Sequence, residues 1–300
     1  MKSVAIMMSV YNGERYLPEQ IASILAQTNV DITLYIRDDG SDAPTIDLLK
    51  TYALQHDNIH VFYGPNLGIR DSFMKLLSDV PLSHDYYGFS DADDVFLCDK
   101  YDRAIKVMGK ARISGPLAYC SQITLVNEKL NKIGAGGPLH RPIEFGNAVV
   151  ECRMSGATAV FNKELIEIAQ SLSAAQAVLH DAWMNLVATA FGTVLFDDES
   201  RILYRQHGRN ADGGRRSRGQ LWRERLGRAA LFGKYAAQAE SFRSQVAQRL
   251  SLDKLQVLGR MQAYEAGTLP GYRMIFDKEI FYQRASSKVL TAFALVRRKT

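Results

Sequence analysis

Residues 4–13 read VAIMMSVYNG, a short apolar run that ends at once in a turn. Such a run is typical of a strand that is buried on both faces of a parallel sheet. Apolar residues at helical spacing follow from Leu17 to Leu25, with Pro18 in the first turn, where proline is tolerated. The chain therefore opens with a predicted strand and a predicted helix.

The same alternation continues further along the chain. Apolar patterns predict further strands at residues 32–36, 59–63 and 86–90. Helical patterns fill the intervals, one of them ending near Gln55 and the next spanning Ile69–Leu77. This order predicts an α/β fold whose mainly parallel sheet is covered by helices through right-handed crossovers.

Polar motifs stand directly after three of the predicted strands. They are Tyr11-Asn12-Gly13, Asp38-Asp39-Gly40 and Asp91-Ala92-Asp93. Ligands of such sheets bind at the carboxyl ends of the strands, so we expect the three motifs to meet in one crevice.

Asp91, Asp93 and Asp94 place three carboxylates within four residues. Crowded carboxylates repel one another, and a hard divalent cation that takes oxygen ligands relieves the repulsion. Mg²⁺ commonly bridges a carboxylate to substrate phosphates. The cluster therefore predicts a cation and diphosphate site, and a solvated acidic turn is the alternative.

The aspartates after the second strand have two interpretations. A carboxylate at Asp38 or Asp39 can accept hydrogen bonds from a pyrimidine N3–H or a ribose hydroxyl. Alternatively, one of them caps the following helix. Asp42 could serve as that cap instead, which would leave Asp39 for a ligand.

Composition excludes several classes of protein. The 300 residues are 47% hydrophobic and 23% charged, which is ordinary globular composition and excludes a disordered or collagen-like chain. No apolar run reaches the roughly 18 to 20 residues that span a bilayer. The N-terminus lacks a signal-peptide cleavage site, and three scattered cysteines suit neither a disulfide framework nor a zinc site. We therefore expect a cytoplasmic protein.

Charge is distributed unevenly along the chain. Residues 1–212 carry 19 Lys and Arg against 26 Asp and Glu, whereas residues 213–300 carry 18 against 6. This predicts a catalytic domain over 1–212 and a basic helical region over 213–300 that attaches to an anionic surface. A solvated helical face is the alternative.

The motifs, taken together, resemble those of glycosyltransferase family 2, in its rhamnosyltransferase-like branch of bacterial surface-polysaccharide enzymes. In chain order they are Ser9–Glu14, Arg37–Ser41, Asn66–Gly68, Asp91–Asp94, Ser155–Asn162, His180–Trp183 and Tyr204–His207 with Asn210. The resemblance covers about residues 3–210. It implies a GT-A Rossmann-like fold, a UDP- or dTDP-sugar donor, Mg²⁺ or Mn²⁺, and an inverting mechanism.

The resemblance also implies roles for individual residues. The residues expected to bind the nucleotide-sugar donor are Ser9, Tyr11, Glu14, Asp39, Arg70, Asp91 and Ala92. Among these, Asp39 would read the pyrimidine ring and Asp91 would contact ribose or metal. Asp93 and His207 would bind the cation. A surface position is the alternative for Arg70, and an ordinary, partly buried histidine for His207.

On the acceptor side, the resemblance makes Asp181 the general base, with Gly156, His180 and Trp183 in the acceptor or sugar pocket. A helix N-cap is the alternative for Asp181, and a core position for Trp183. One base and one displacement would invert the anomeric carbon, whereas a retaining covalent route needs a second nucleophile. The Q-x-x-R-W signature of processive synthases is absent from the sequence, which favours the addition of one sugar per encounter.

The basic C-terminal region predicts a surface for attachment. Six arginines (Arg215, Arg216, Arg218, Arg223, Arg225 and Arg228) surround Leu221, Trp222 and Leu226. A basic amphipathic helix suits the anionic inner face of the cytoplasmic membrane, near the lipid-linked saccharide acceptor that the resemblance implies. No nucleic-acid-reading motif accompanies the patch, so we expect no nucleic acid partner. A homodimer interface is the remaining alternative.

Two other classes of function share features with this sequence. A nucleotidyltransferase also sets acidic metal ligands in a Rossmann-like sheet, but its glycine-rich, basic triphosphate loop is not present at Tyr11–Glu14. A non-catalytic sugar-nucleotide-binding protein and a nucleic-acid-binding protein are the non-enzymatic alternatives.

Overall fold

The computed structural model describes residues 1–207 and 218–297, without the side chains of 218–226 and 297. In these ranges the strands are β1 (Lys2–Val10), β2 (Val30–Asp38), β3 (Ile59–Tyr63), β4 (Tyr86–Ser90), β5 (Val95–Phe96), β6 (Leu117–Ser121), β7 (Thr124–Val126), β8 (Lys132–Ala135), β9 (Val160–Asn162), β10 (Thr193–Asp197) and β11 (Ile202–Arg205). The helices are α1 (Leu17–Leu25), α2 (Ala43–Gln55), α3 (Ile69–Asp79), α4 (Lys100–Ala111), α5 (Phe145–Ala148), α6 (Lys163–Gln170), α7 (His180–Phe191), α8 (Arg218–Val246), α9 (Leu252–Ala266) and α10 (Ala285–Arg297).

The main sheet is mainly parallel, as predicted. Among the described residues, seven strands pair in the order β10-β6-β9-β4-β1-β2-β3, and β9 alone runs antiparallel to its neighbours. Val10 pairs with Asp38, and Met8 pairs with Ser90. The ends of β1, β2 and β4 therefore lie side by side, and the chain leaves them at one edge of the sheet.

A smaller sheet brings two distant parts of the chain together. Four further strands of the described residues pair in the order β5-β11-β7-β8. Val95 of β5 pairs antiparallel with Leu203 of β11. The acidic turn that precedes β5 consequently lies beside the residues that follow β11.

The predicted C-terminal helices are present as α8, α9 and α10. Their apolar side chains belong to the same hydrophobic cluster as those of the main sheet and α7, through residues such as Phe89, Trp183, Phe242 and Met261. No helix in the described part of the chain has the length and apolar character needed to cross a membrane.

Several predictions for the basic region lie outside the described residues. The expected domain boundary between 212 and 213 falls in residues 208–217, as do Asn210, Arg215 and Arg216. The structure also does not describe six side chains of this region: those of Arg218, Leu221, Trp222, Arg223, Arg225 and Leu226. Arg228 is described, and its guanidinium donates to the Ser287 carbonyl at 3.5 Å.

Candidate active site

The acidic turn after β4 carries a carboxylate with a strongly perturbed pKa. Burial, followed by the charges of Asp93 and Asp181, raises the pKa of Asp91 to about 7. Asp181 is therefore close enough to Asp91 to oppose its ionisation. Three carboxylates from two distant motifs thus share one electrostatic environment at the carboxyl edge of the main sheet.

His207 meets the same turn from the smaller sheet. Its Nε2 lies 2.7 Å from Asp93 Oδ2. The imidazole also stacks on the Tyr16 ring, with ring centroids 5.1 Å apart. The predicted neighbours Asp93 and His207 are therefore in direct contact.

Arg205 fixes the acidic turn from behind. Its guanidinium is almost completely buried and donates through Nε to the Asp93 carbonyl at 2.7 Å and through Nη1 to the Glu128 carbonyl at 2.6 Å. Its backbone N–H donates to Asp94 Oδ1 at 3.0 Å, and its side chain pairs with Glu19. The sequence interpretation assigned no role to Arg205, although the residue stands in the motif that ends at His207.

The donor set of this turn fits a divalent cation. Within residues 1–207 and 218–297, no three His, Cys, Asp or Glu side chains are grouped so as to enclose a metal by themselves. Asp93 nevertheless offers a carboxylate oxygen, a donor that suits Mg²⁺ and Mn²⁺, and His207 adds an imidazole nitrogen, a common metal ligand. The raised pKa of Asp91 marks a place where positive charge would relieve repulsion. Two protein ligands suit a cation that completes its shell with substrate phosphates and water.

Asp181 is the second residue of α7. Leu179 occupies the N-cap position, so the N-cap alternative for Asp181 is wrong. Asp181 Oδ1 accepts from the Ala182 N–H at 2.7 Å, which fixes the carboxylate in the first helical turn. Gly156 lies directly against this turn, because a Cβ added there would stand 3.5 Å from Asp181 Cβ and 2.6 Å from His180 Nε2.

The structure corrects the predicted sugar-facing roles of His180 and Trp183. His180 stacks on Phe73 with ring centroids 4.0 Å apart, and burial lowers the pKa of His180 to about 3. Trp183 is completely buried and meets Phe242 of α8 edge to face at 5.8 Å. Because both rings are enclosed by apolar neighbours, they form core between α7 and the elements around it. The core alternative therefore describes Trp183.

The first strand ends in residues suited to a flat ligand. Tyr11 is 57% exposed at the carboxyl edge. Glu14 Oε2 accepts from Thr45 Oγ1 at 2.6 Å, so this carboxylate is held beside α2. A Cβ on Gly13 would lie 3.6 Å from the Ala92 Cβ, which places the first motif against the acidic turn.

Asp39 organises a neighbouring loop. Its carboxylate is buried, pairs with Arg37, and accepts from the backbone N–H groups of Leu67 and Gly68 at 2.8 and 2.9 Å. Asp42 occupies the N-cap position of α2 without a side-chain capping bond. The structure thus joins the second and third motifs through Asp39, and contact of Asp39 with a pyrimidine stays a prediction.

Ser9 and Arg70 flank the same loop. Ser9 Oγ lies 2.6 Å from Ser72 Oγ. The Arg70 guanidinium forms a two-pronged contact with Asp71, at 2.7 and 2.9 Å. Arg70 is therefore already paired with a carboxylate, and a phosphate contact of Arg70 stays a prediction.

The sequence matches the profile described as Glycosyl transferase family 2 over residues 5–164. It is 31% identical over 223 residues to the dTDP-rhamnosyl transferase RfbG of Shigella flexneri, which covers 69% of this chain and 73% of that protein.

Two solved structures are similar in fold. TarS 1–349 of S. aureus, in complex with UDP-GlcNAc, has a TM-score of 0.58 at 14% identity. The superposition covers 100% of this chain and 91% of the TarS chain. The mannosyltransferase PcManGT from Pyrobaculum calidifontis, in complex with GDP-Man and Mn²⁺, has a TM-score of 0.51 at 14% identity. The superposition covers 98% of this chain and 86% of the PcManGT chain. The fold is thus of the GT-A type that the resemblance implied. Because the sequence also matches the family profile and is 31% identical to RfbG, this chain belongs to glycosyltransferase family 2.

Proposed function

We propose that this protein is an inverting, metal-dependent glycosyltransferase that moves one sugar from a nucleoside-diphosphate sugar to a saccharide acceptor in cell-surface polysaccharide assembly. The observation that carries the proposal is the contact of His207 with Asp93 at 2.7 Å, beside Asp91, whose pKa is raised by burial and by the charges of Asp93 and Asp181. Family membership favours sugar transfer over nucleotidyl transfer.

The donor is proposed to be a UDP- or dTDP-sugar. TarS binds UDP-GlcNAc, PcManGT binds GDP-Man, and RfbG is named for dTDP-rhamnose chemistry. The exposed Tyr11 ring at the carboxyl edge offers a face on which a nucleobase can stack. Similarity to RfbG supports rhamnose as the transferred sugar.

Asp93 and His207 are the residues proposed to hold the cation, with Asp91 beside them. When bound, a divalent cation neutralises the charge that develops on the departing diphosphate. Arg205 would keep this pair in place through its bond to the Asp93 carbonyl.

Asp181 is proposed as the base. Its carboxylate would accept the proton of the acceptor hydroxyl while that oxygen forms a bond to the anomeric carbon of the donor sugar. The bond from the anomeric carbon to the β-phosphate oxygen breaks, and its electron pair leaves with the nucleoside diphosphate. A single displacement inverts the configuration at that carbon.

The setting of the reaction is proposed from the sequence. The acceptor is a lipid-linked saccharide, and the basic region places the enzyme on the inner face of the cytoplasmic membrane. A homodimer is the other assembly proposed for that region.

The substitution Asp181→Asn tests the function. Calorimetry of the full chain with UDP- and dTDP-sugars, with and without Mn²⁺, should show donor binding in both the wild type and the variant. Turnover should be lost in Asp181→Asn and kept in Asp31→Asn, a control at the start of β2 on the opposite edge of the sheet. Unchanged turnover in Asp181→Asn would refute the base role, and failure of every nucleotide sugar to bind the wild type would refute the proposed function.

A further inference from the structure

Two arginines from distant parts of the chain converge on one turn. A Cβ added to Gly137 would stand 3.1 Å from Arg284 Nη2 and 3.7 Å from Arg153 Nη2, so the two nitrogens are no further apart than the sum of these distances. Arg153 Nη2 also donates to the carbonyls of Gly137 and Pro138, both at 3.4 Å. The two guanidinium groups of this arginine pair therefore meet at the same point of the backbone.

The arginine pair has no counter-charge in the described part of the chain. Within residues 1–207 and 218–297, no carboxylate forms an ion pair with Arg153 or Arg284. Glu151, the acid nearest to Arg153 in sequence, accepts instead from Asn147 Nδ2 at 2.7 Å and from the Gln283 N–H. Arg153 Nε is buried, and no group in those two ranges accepts from it. Because like charges repel and a buried donor without an acceptor is costly, a bound anion would relieve both penalties.

Gln283 ties the segment of Arg284 to the turn of Gly137. Its side chain is buried, and its Oε1 accepts from the backbone N–H groups of His140 and Arg141, both at 3.0 Å. Its Nε2 donates to the Arg141 carbonyl at 2.9 Å. The backbone from which Arg284 extends is therefore fixed beside the turn, and a site that is fixed in advance loses less entropy when it binds a ligand.

The arginine pair lies at the carboxyl edge of the main sheet, on the side away from the donor motifs. Strand β6 runs in the same direction as β4, because each pairs antiparallel with β9 between them. Gln122 directly follows β6 and donates through Nε2 to the Gly137 carbonyl at 3.4 Å, which places the turn at the carboxyl end of β6. Two strand spacings put β6 about 10 Å from β4. The donor motifs follow β1, β2 and β4, so the pair lies beyond them on the other side of β9.

The chain itself connects the arginine pair to the proposed base. Arg153 is three residues before Gly156, and three residues of chain span at most about 11 Å. A Cβ on Gly156 would stand 3.5 Å from Asp181 Cβ. One acceptor molecule can therefore place an anionic group at the pair and a hydroxyl at Asp181.

We propose that Arg153 and Arg284 bind a phosphate group of the acceptor directly, without a metal ion. The planar fork of a guanidinium matches two oxygens of one phosphate, and two such forks face one point here. The inference rests on the proposed function, because a saccharide joined to its lipid through phosphate would present this anion next to the sugar at Asp181. The carboxyl edge then holds a cation site for the donor at Asp93 and a separate anion site for the acceptor.

The first experiment measures binding of a prenyl diphosphate. The probe is farnesyl diphosphate with EDTA, titrated into the full chain by calorimetry, and farnesol is its uncharged counterpart. Arg153→Gln and Arg284→Gln should each raise the Kd about tenfold or more, the equivalent of one charged hydrogen bond. Farnesol should not bind, and saturating UDP should leave the Kd of the wild type unchanged. The matched control Arg273→Gln removes an exposed arginine of the same basic region, beside Gly271 at the other end of α10, and should bind like the wild type.

The second experiment measures use of the acceptor. Its probe is an envelope extract of source cells in which the gene is deleted, and its label is the nucleotide sugar that the wild type binds. The amount of extract that gives half-maximal transfer should rise about tenfold in Arg153→Gln and in Arg284→Gln, while the donor Kd stays at the wild-type value. Arg284 is exposed, so its substitution keeps the test valid even if Arg153→Gln fails to fold.

Equal Kd values for farnesyl diphosphate in the wild type and both variants, or no binding by the wild type, would overturn the anion site. Vesicles of phosphatidylglycerol test the other source of phosphate, and they should bind the variants and the wild type equally. Loss of vesicle binding with unchanged binding of farnesyl diphosphate would assign the pair to lipid headgroups and overturn the proposal. Failure of every nucleotide sugar to bind a wild type that still binds farnesyl diphosphate would instead overturn the proposed function and leave only the anion site.

Discussion

His207 Nε2 lies 2.7 Å from Asp93 Oδ2, although 114 residues separate the two along the chain. The contact follows from the antiparallel pairing of Val95 with Leu203, because that pairing holds the turn before β5 beside the end of β11. The two residues proposed to hold the cation are therefore brought together by backbone pairing in the smaller sheet.

Removal of either partner should weaken cation binding. In Asp93→Asn and in His207→Ala, we expect the affinity for Mn²⁺ in the presence of UDP to fall by about 100-fold, since each variant loses one of two protein ligands. Electron paramagnetic resonance of free Mn²⁺ measures this directly. The control Asp31→Asn, at the far end of β2, should bind Mn²⁺ like the wild type, and wild-type affinity in both site variants would contradict the proposed ligand pair.

The bonds of Arg205 to the Asp93 and Glu128 carbonyls form a clamp on the acidic turn. Loss of this clamp should lower both the stability of the protein and its affinity for Mn²⁺. In Arg205→Lys the charge remains, but one ammonium group cannot reach the Asp93 and Glu128 carbonyls as the guanidinium does. One buried carbonyl left without a donor lowers the free energy of unfolding by about 1 to 3 kcal/mol. The affinity for Mn²⁺ should fall by about tenfold, because the Asp93 backbone is released.

Urea denaturation and Mn²⁺ titration of the same samples separate the two effects of Arg205→Lys. The matched control is Arg103→Lys, because Arg103 forms a two-pronged contact with Asp197 at 2.6 and 2.9 Å, away from the acidic turn. Arg103→Lys should lose stability and keep its affinity for Mn²⁺. If Arg205→Lys also kept that affinity, the clamp would be structural only.

Local pattern was sufficient to predict the strands and helices of residues 1–90. The apolar run at 4–10 and the strands at 59–63 and 86–90 stand out because each is short, strongly apolar and followed by a turn. The parallel order then requires that the polar residues after these strands share one edge. That edge is where the structure places Tyr11 and Asp91.

The rest of the site depends on tertiary packing that no local pattern encodes. The approach of His207 to Asp93 was expected from family resemblance alone, since spacing cannot predict a contact between residues so far apart. His180 and Trp183 were assigned to the acceptor or sugar pocket by family resemblance, and an aromatic ring such as that of Trp183 suits sugar binding and core packing equally. Trp183 is a core residue because Phe242 of α8 packs edge to face against its ring.

The buried imidazole of His180 should make the protein sensitive to acid. Burial lowers the pKa of His180 from 6.5 to about 3, so between these two pH values the unfolded chain binds a proton that the folded chain does not. His180 therefore leaves the stability unchanged above pH 6.5 and lowers it progressively as the pH falls from 6.5 to about 3. Each pH unit in this window costs up to about 1.4 kcal/mol from this residue.

The substitution His180→Phe removes the titration and keeps a ring against Phe73. Its unfolding free energy should decrease less than that of the wild type between about pH 7 and about pH 5, by about 2 kcal/mol in urea titrations. The control His60→Gln changes an exposed histidine and should leave the wild-type slope unchanged. Equal slopes for the wild type and His180→Phe would mean that His180 is protonated in the folded chain.

A methyl group on Gly156 should disturb catalysis as well as folding. In Gly156→Ala the new Cβ would stand 2.6 Å from His180 Nε2, too close for any real contact. His180 cannot retreat, because Phe73 stacks on its ring with centroids 4.0 Å apart, so the first turn of α7 has to shift. Asp181 moves with that turn, and a displacement of about 1 Å in a catalytic group costs about 100-fold in rate.

We therefore expect kcat of Gly156→Ala to fall by about 100-fold while its donor Kd changes little. The same overpacking should lower the free energy of unfolding by about 1 to 3 kcal/mol. The matched control is Gly259→Ala in α9, where a Cβ would meet nothing within 4 Å and should slightly stabilise the helix. A large loss of melting temperature with unchanged kcat would mean that the displaced atoms belong to the core and not to the base. Because the first turn of α7 carries both His180 and Asp181, the division of the effect between stability and kcat reports which of the two side chains moves.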